Sequence, residues 1–250
     1  MFEELIVRIE LFTPALVLTL GLVIGLQHAF EPDHVAAVST LISKQRNKSQ
    51  SLTQRIKEGA FKSSIIGAIW GAGHTTTLVL MGLLVYVLSV NIPDVFFNGT
   101  EFLVGVMLIF LAFTTLSNKK LFKFRHVHPH AHDDGIIHTH PHEHKGEHKH
   151  SHKSYLIGCI HGLAGSGAII VVIAGTLSNI HDVLSFILIF GIGSIIGMIL
   201  VSNLIGIPFV FSNKIPSLNR TLRYVAGTVS LLIGITIIYE IVFVGKLFSF

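Results

Sequence analysis

The sequence predicts an all-α membrane protein with six transmembrane helices, built as an inverted repeat of two three-helix units. Half of its 250 residues are hydrophobic and only 13% are charged, and its mean hydropathy is +0.68. This composition is typical of polytopic membrane proteins and not of soluble domains. Six apolar segments are long enough to cross a bilayer, which requires roughly 20 residues. Short motifs also recur in the same order in the two halves of the chain.

The six predicted spans lie near residues 12–42, 61–90, 102–118, 155–177, 182–211 and 222–245. The first is longer than a simple span and contains Pro32, which removes the N–H that would bond the carbonyl oxygen of His28. We therefore expect a kinked or broken helix there. The N-terminus lacks the basic region of a cleavable signal peptide. The single cysteine, Cys159, excludes an intrachain disulfide and a cysteine-based zinc site.

The basic residues are distributed very unevenly between the two sides of such a bundle. The loops after spans one, three and five carry 16 of the 18 lysine and arginine residues, and only Arg8 and Lys246 fall on the other side. The positive-inside rule predicts that the basic loops are cytoplasmic and that both termini are external. The net charge of +4 is then a sign of membrane topology and not of nucleic-acid binding.

The two halves of the chain resemble each other weakly. Residues 22–28 match residues 155–161, residues 70–74 match residues 190–194, and residues 102–105 match residues 224–227. With three spans each, the halves must run in opposite directions, which is a common transporter plan with its site near the midplane. The predicted organisation is a first repeat at 1–118, a cytoplasmic loop at 119–154 and a second repeat at 155–250.

A cluster of polar residues interrupts the first span. His28, Glu31, Asp33 and His34 lie within seven residues, and ionisable groups at bilayer depth normally mark an ion or substrate path. Imidazole with carboxylate suits nickel, cobalt or zinc. On an unbroken helix the two histidines would point about 240° apart, so a break at Pro32 is needed to bring His34 back toward His28. The alternative is a buried histidine–carboxylate network that only links helices.

Two further histidines lie within spans. His74 follows glycines at 71 and 73 and precedes Thr75–Thr77, whose hydroxyls are expected to bond the side chains around an ion. His74 is a candidate ligand or gate residue, or else a packing histidine. His161 is the repeat partner of His28, but it has no carboxylate near it in the sequence, so it is a weaker candidate.

Two pairs of polar residues are weaker candidates. His181 and Asp182 fall at a predicted external loop, where we expect them to be solvated. Ser202 and Asn203 are polar groups inside the fifth span. None of these residues carries a motif of its own.

The motifs together resemble a known family. The pattern His-x4-Asp-His in the first span, with Gly-His-Thr-Thr at 73–76 and His-Gly-Leu-Ala-Gly-Ser at 161–166, resembles the nickel/cobalt transporter superfamily, and most closely its UreH-like branch. The resemblance implies a six-span transporter for Ni²⁺ or Co²⁺. It also implies that His28, Asp33 and His34 recognise the metal and that His74 contributes from the second span. Glu31 and Pro32 depart from the pattern of the eight-span permeases, which leaves uptake and efflux both open.

The loop between the halves is rich in histidine. Eleven histidines lie between residues 126 and 152, namely His126, His128, His130, His132, His138, His140, His142, His144, His148, His150 and His152. With almost no apolar content, this segment is expected to be disordered without metal. It offers many interchangeable ligands near pH 7, which indicates a metal buffer or hand-off site. The alternative is a solvated linker.

These observations predict a cell-membrane transporter of divalent transition-metal ions, with Ni²⁺ or Co²⁺ as cargo, that works by alternating access at the repeat interface. The chain is not expected to be an enzyme or to carry an organic cofactor. Its expected partners are the lipid bilayer, the metal ion and nickel-enzyme maturation proteins, without nucleic acid. The alternatives are a zinc or manganese transporter, a membrane metalloenzyme such as an iron-dependent lipid hydroxylase, and a scaffold that delivers nickel to a maturation system.

Overall fold

The computed structural model of the chain describes residues 14–45, 51–88, 93–117, 129–131, 137–139, 150–164 and 179–244. Nearly all of them are helical. The α-helices are α1 (Pro14–His28), α2 (Pro32–Ile42), α3 (Leu52–Leu88), α4 (Asp94–Leu116), α5 (His150–Leu163), α6 (Ile180–Ser212) and α7 (Pro216–Tyr239), and a π-helical turn at Glu240–Val244 continues α7.

Four of these helices are long and apolar enough to cross a membrane, in the segments Leu52–Tyr86, Val95–Leu116, Ile180–Ser212 and Pro216–Val244. The apolar stretch of α1 is shorter, at Leu18–His28. The first predicted span falls on α1 and α2 together. The fourth falls on α5, and its predicted continuation lies outside the described residues. Apart from two short strands, the described residues thus form a helical protein of the membrane type.

Four helices begin five or more residues before the spans that were predicted for them. Helix α3 begins at Leu52 instead of residue 61, α4 at Asp94 instead of 102, α5 at His150 instead of 155, and α7 at Pro216 instead of 222. Hydropathy marks only the apolar stretch, whereas backbone hydrogen bonding extends the helix into its polar flank, as where the Arg55 amide donates to the Ser51 carbonyl. Proline is favoured in the first turn of α7 because no helical partner exists there for its missing N–H.

The first span is a broken helix, as Pro32 predicts. Helix α1 ends at His28 and α2 begins at Pro32, with Glu31 in an extended conformation between them. A residue that precedes proline is pushed out of the helical region by contact with the proline ring. The Glu31 amide donates to the His28 carbonyl at 3.1 Å, so the break is a tight turn.

Close helix contacts occur at matching positions in the two halves. A Cβ atom at Gly25 of α1 would overlap the carbonyl oxygen of Phe190 in α6, and one at Gly158 of α5 would overlap that of Trp70 in α3. Gly25 aligns with Gly158, and Trp70 aligns with Phe190. Only glycine allows two helix backbones to approach so closely.

A second pair of contacts follows the same rule. Gly193 of α6 lies against the carbonyl oxygen of Leu22, and Gly73 of α3 lies against that of Tyr155. Leu22 and Tyr155 hold matching positions in the aligned motifs, and so do Gly73 and Gly193. Corresponding residues of the two halves therefore pack in equivalent ways.

The histidine-rich segment contains two short strands in its described part. Strand β1 (Pro129–Ala131) pairs antiparallel with β2 (Ile137–Thr139), and His130 lies opposite His138. Most of the segment lies outside the described residues. Its predicted disorder and metal-buffering role stay predictions.

Candidate metal centre

Four imidazoles from four different helices meet at one place in the bundle. His28 ends α1, His34 lies in the first turn of α2, His74 lies in α3 and His161 lies in α5. Their exposed fractions are 6%, 1%, 0% and 2%. The ring centroid of His28 is 4.5 Å from that of His34 and 5.2 Å from that of His74, and the centroids of His34 and His161 are 5.1 Å apart.

The break in the first span produces this convergence. Because α2 starts afresh at Pro32, its first turn carries His34 back over the end of α1. The His28 and His34 rings meet edge to face, with an interplanar angle of 84°. The prediction that a break at Pro32 brings the two histidines together is confirmed.

Two carboxylates flank the imidazoles. Glu31 Oε1 lies 2.7 Å from His28 Nδ1, and the Glu31 side chain is half-exposed. Asp33 Oδ2 lies 3.8 Å from the Nε2 atoms of both His34 and His161. The sequence offered no carboxylate for His161, but the structure supplies Asp33 from the other half of the chain.

The donor atoms form two overlapping triads. His28, His34 and His74 make one, and Asp33, His34 and His161 make the other, with the donor atoms of each triad within 4.8 Å of one another. Two donors at about 2.1 Å from one ion lie at most about 4.2 Å apart. The 3.8 Å separations at Asp33 already fit this limit. Small inward movements would complete either triad.

Ring nitrogens in the cluster lack hydrogen-bond partners within the described part of the chain. They are Nε2 of His28, Nδ1 of His34, both ring nitrogens of His74 and Nε2 of His161. Buried polar atoms in native proteins are nearly always paired, so a group of unpaired ones needs an explanation. Binding of a cation by these nitrogens provides one, since neutral imidazole is a ligand for borderline transition metals.

Trp70 is a member of the cluster that the sequence motifs did not identify. It is fully buried, and its ring centroid lies 4.7 Å from that of His34, 5.3 Å from that of His74 and 5.0 Å from that of His161. It is the only tryptophan in the chain. Its position four residues before His74, on the same helix face, is the sequence signal that could have identified it as a member of the cluster.

Two minor predictions have clear outcomes. The hydroxyls of Thr75, Thr76 and Thr77 donate to backbone carbonyl oxygens, so the expectation that they bond the side chains around an ion was wrong. Thr76 and Thr77 bond the carbonyl oxygen four residues earlier, as helical threonines often do, whereas Thr75 bonds the Gly191 carbonyl of α6. His181 is exposed, as expected, and its backbone amide donates to the Asn179 side chain.

Other candidate residues lie outside the triads. The Asn203 amide nitrogen donates to Ser64 Oγ, and Ser202 is fully buried. Among the eleven loop histidines, His152 is exposed on α5, while the side chains of the other ten lie outside the described residues.

The fold and the cluster define a helical membrane protein with a buried histidine and carboxylate centre suited to a transition-metal ion. The chain is 35% identical over 226 residues to the urease accessory protein UreH of Bacillus sp. (strain TB-90), and the match covers 90% of this chain and 91% of that relative. The chain therefore belongs to the UreH family of urease accessory proteins. No family model matches the chain, and no solved structure matches it.

Proposed function

We propose that this protein transports divalent transition-metal ions across the membrane, with Ni²⁺ as its first cargo and Co²⁺ as its second. The proposal is carried by the convergence of four buried imidazoles that each have an unpaired ring nitrogen. Nickel comes first because of the resemblance to the nickel/cobalt transporter superfamily. The relative's name, a urease accessory protein, is in keeping with this cargo.

The architecture we propose is six spans arranged as an inverted repeat. Helices α1 and α2 together form the first span, and α5 begins the fourth. The matched contacts of Gly25 with Phe190 and of Gly158 with Trp70 support this arrangement. Such repeats rock against each other around a site near the bilayer midplane.

The proposed ion site consists of His28, His34, His74, Asp33 and His161, with Glu31 beside it. His34 belongs to both donor triads, so an ion can pass from one triad to the other without losing this ligand. Glu31 and Asp33 provide two negative charges next to a divalent cation. This neutralisation of the ion's charge matters because an unpaired charge is costly at bilayer depth.

Orientation and energy supply follow from the charge pattern. If the basic loops are cytoplasmic, an ion that moves inward through about 100 mV gains roughly 4.6 kcal/mol, twice the value for one charge. The chain has no nucleotide-binding motif, and uptake needs no other energy source. The histidine-rich loop would then receive the ion and pass it to nickel-enzyme maturation proteins. Efflux would require a counter-ion such as the proton.

A scaffold function is the second candidate, and the name of the relative, an accessory protein, favours it. A scaffold would bind nickel and deliver it to a maturation system without moving the ion across the membrane. Vesicles that contain only this chain separate the two functions. Metal accumulation inside them supports transport, and binding without accumulation supports a scaffold.

The test is direction-resolved flux in proteoliposomes that contain this chain alone. We expect Ni²⁺ flux in the wild-type protein, and loss of that flux in the His28→Ala and His34→Ala variants, while both proteins still insert. His181→Ala is the matched control because His181 is exposed and outside the cluster. Near-normal flux in both cluster variants would falsify the proposal. Competition by Co²⁺, Zn²⁺ and Mn²⁺ then identifies the preferred ion.

A further inference from the structure

Unpaired polar oxygens lie at the interface between α3 and α6, apart from the histidine cluster. Ser63 in α3 and Ser194 and Ser202 in α6 are fully buried. Their Oγ atoms and Oδ1 of Asn203 have no hydrogen-bond partner in the described part of the chain. An unpaired buried hydroxyl destabilises the fold, and several in one interface call for a functional explanation.

Other hydroxyls of the same bundle are paired. Thr75, Thr76 and Thr77 all donate to carbonyl oxygens. The buried Ser230 hydroxyl of α7 donates to the Leu108 carbonyl of α4 at 3.0 Å. In the described part of the chain, three of the four buried hydroxyls without a partner belong to Ser63, Ser194 and Ser202 of α3 and α6, and the fourth belongs to Thr115 of α4. Unpaired hydroxyls are therefore concentrated in these two helices.

The unpaired oxygens lie on one side of the cluster. A Cβ atom at Gly67 would lie 2.6 Å from Ser202 Oγ, and Ser63 Oγ packs in the same way against Gly206. Ser63 precedes His74 by 11 residues of α3, which is about 16 Å of helix. The end of α3 next to Ser63 carries the basic residues of the loop that follows the first span. The oxygens therefore run from the cluster toward the basic loops.

The opposite side of the cluster combines an apolar group with the paired hydroxyls of Thr75, Thr76 and Thr77. A separate buried group consists of Leu78, Val183, Phe186, Ile187 and Phe190. When the alignment of Trp70 with Phe190 is continued along both helices, Ser63 corresponds to Val183 and Gly67 to Ile187. The repeat therefore places apolar side chains on one side of the cluster where the other side has the Ser63 hydroxyl and a glycine, Gly67, that packs against Met198 and Ser202.

We propose that Ser63, Ser202 and Asn203 line the path by which the ion leaves the histidine cluster toward the basic loops. This inference rests on the proposed transport function and adds its release route. When α3 and α6 separate at this end, the oxygens replace water around a hard or borderline cation. The apolar group on the opposite side stays closed to a hydrated ion. Release then occurs on the side of the basic loops, which is the direction of uptake.

The first test separates binding from release. In the double variant Ser63→Ala/Ser202→Ala we expect Ni²⁺ binding at the cluster, followed by Trp70 fluorescence, to be unchanged, while flux falls about tenfold. Removal of unpaired hydroxyls should not harm folding. Ser230→Ala is the control that removes a paired buried hydroxyl elsewhere and should keep its flux. Wild-type flux in the double variant would overturn the release route.

A failure of the proposed function looks different. If the wild-type protein neither binds nor moves Ni²⁺, transport itself fails, whatever the serine variants do.

A second measurement uses Cys159→Ser protein with Ser202→Cys or, separately, Val183→Cys. We expect a membrane-impermeant thiol reagent to label the first variant from the basic-loop side and to leave the second unlabelled from that side. Equal labelling of both from that side would also overturn the route.

Discussion

Trp70 and His74 stack one helical turn apart on α3, with ring centroids 5.3 Å apart and ring planes 11° apart. Trp70 also contacts the rings of His34 and His161. One indole therefore touches histidines from three helices and holds their ring orientations. Since Trp70 is the only tryptophan, the protein carries an intrinsic optical reporter at its candidate metal centre.

Trp70→Phe should weaken ion binding while the protein still folds. Phenylalanine keeps an aromatic ring in the cavity but leaves a gap against the imidazoles, so they lose orientation. Residues that orient metal ligands are typically worth about tenfold or more in affinity. Because the Trp70→Phe variant has no tryptophan to report on binding, equilibrium dialysis measures its affinity for Ni²⁺. Unaltered affinity would show that Trp70 is only a packing residue.

Asp33→Asn should reduce Ni²⁺ flux more than Glu31→Gln does. The Asp33 carboxylate lies 3.8 Å from two imidazole nitrogens, whereas Glu31 is half-exposed and contacts one. Loss of the more buried negative charge leaves the charge of a divalent ion less well compensated. Flux assays compare the two variants, with Asp182→Asn as an exposed control. A larger loss of flux in Glu31→Gln would show that the Glu31 carboxylate, and not that of Asp33, matters more for the ion.

Gly25→Ala and Gly158→Ala should each destabilise the bundle by about 1–3 kcal/mol, the usual cost of overpacking. Each new methyl group would overlap a backbone carbonyl oxygen of a neighbouring helix. Gly99→Ala in α4 is the matched control, since nothing lies within 4 Å of its Cβ position. Thermal unfolding in detergent should show lower midpoints for the first two variants and an equal or higher midpoint for the control. Equal midpoints for all three would contradict the proposed close packing.

Lys44, which follows α2 outside the membrane-spanning segments, should give the protein a pH-dependent stability. Burial first, and then the charges of Lys153 and Arg223, lower the pKa of Lys44 from 10.5 to about 8. Between pH 8 and 10.5 the unfolded chain binds more protons at this residue, so this contribution to stability rises with pH there. Below pH 8 the cost of the charge is fully present.

Lys44→Met removes this titration, although it also removes the 2.7 Å bond from Lys44 Nζ to Thr114 Oγ1. The difference in unfolding midpoint between wild type and variant should therefore move in favour of wild type as the pH rises from 8 to 10.5. Unfolding in detergent at several pH values measures it. A difference that stays constant over this range would contradict the lowered pKa.

The histidine-rich loop should tolerate any single substitution. The predicted metal buffer has eleven interchangeable histidines, so a change such as His142→Ala leaves ten others. Replacement of residues 126–149 by a glycine–serine linker should keep Ni²⁺ flux but reduce the number of ions bound per chain. Flux and bound metal, measured on the same preparation, test this. Loss of flux with one substitution would show a specific site in the loop.

The part of the centre that could be predicted from sequence is the part set by local chemistry. Pro32 removes one helical hydrogen bond, so a break beside His28 followed from the residue itself. Exposure of His181 likewise followed from its place between spans. The apolar segments located the helices, but not their ends, because helices α3 and α7 continue into polar flanks.

Contacts between distant helices could not be predicted in the same way. The approach of Asp33 to His161 depends on how the assembled bundle brings α2 and α5 to the same place, and no residue near His161 in the sequence signals a carboxylate. The role of Trp70 has the same origin in part. Its stacking on His74 lies within α3, but its contacts with His34 and His161 arise only when the helices assemble. The threonines after His74 were misassigned because their hydroxyls bind backbone carbonyl oxygens, within α3 for Thr76 and Thr77 and on α6 for Thr75.

The most direct test of the central claim is a Ni²⁺ titration of the purified protein followed by Trp70 fluorescence. An ion among His28, His34 and His74 lies next to the indole, and the His74→Ala variant separates its signal from that of ions bound by the loop. We predict saturable quenching in wild type and in His181→Ala, and its loss in His74→Ala. No quenching in wild type, or the same saturable quenching in His28→Ala and His74→Ala, would contradict the claim that the buried imidazoles bind the ion.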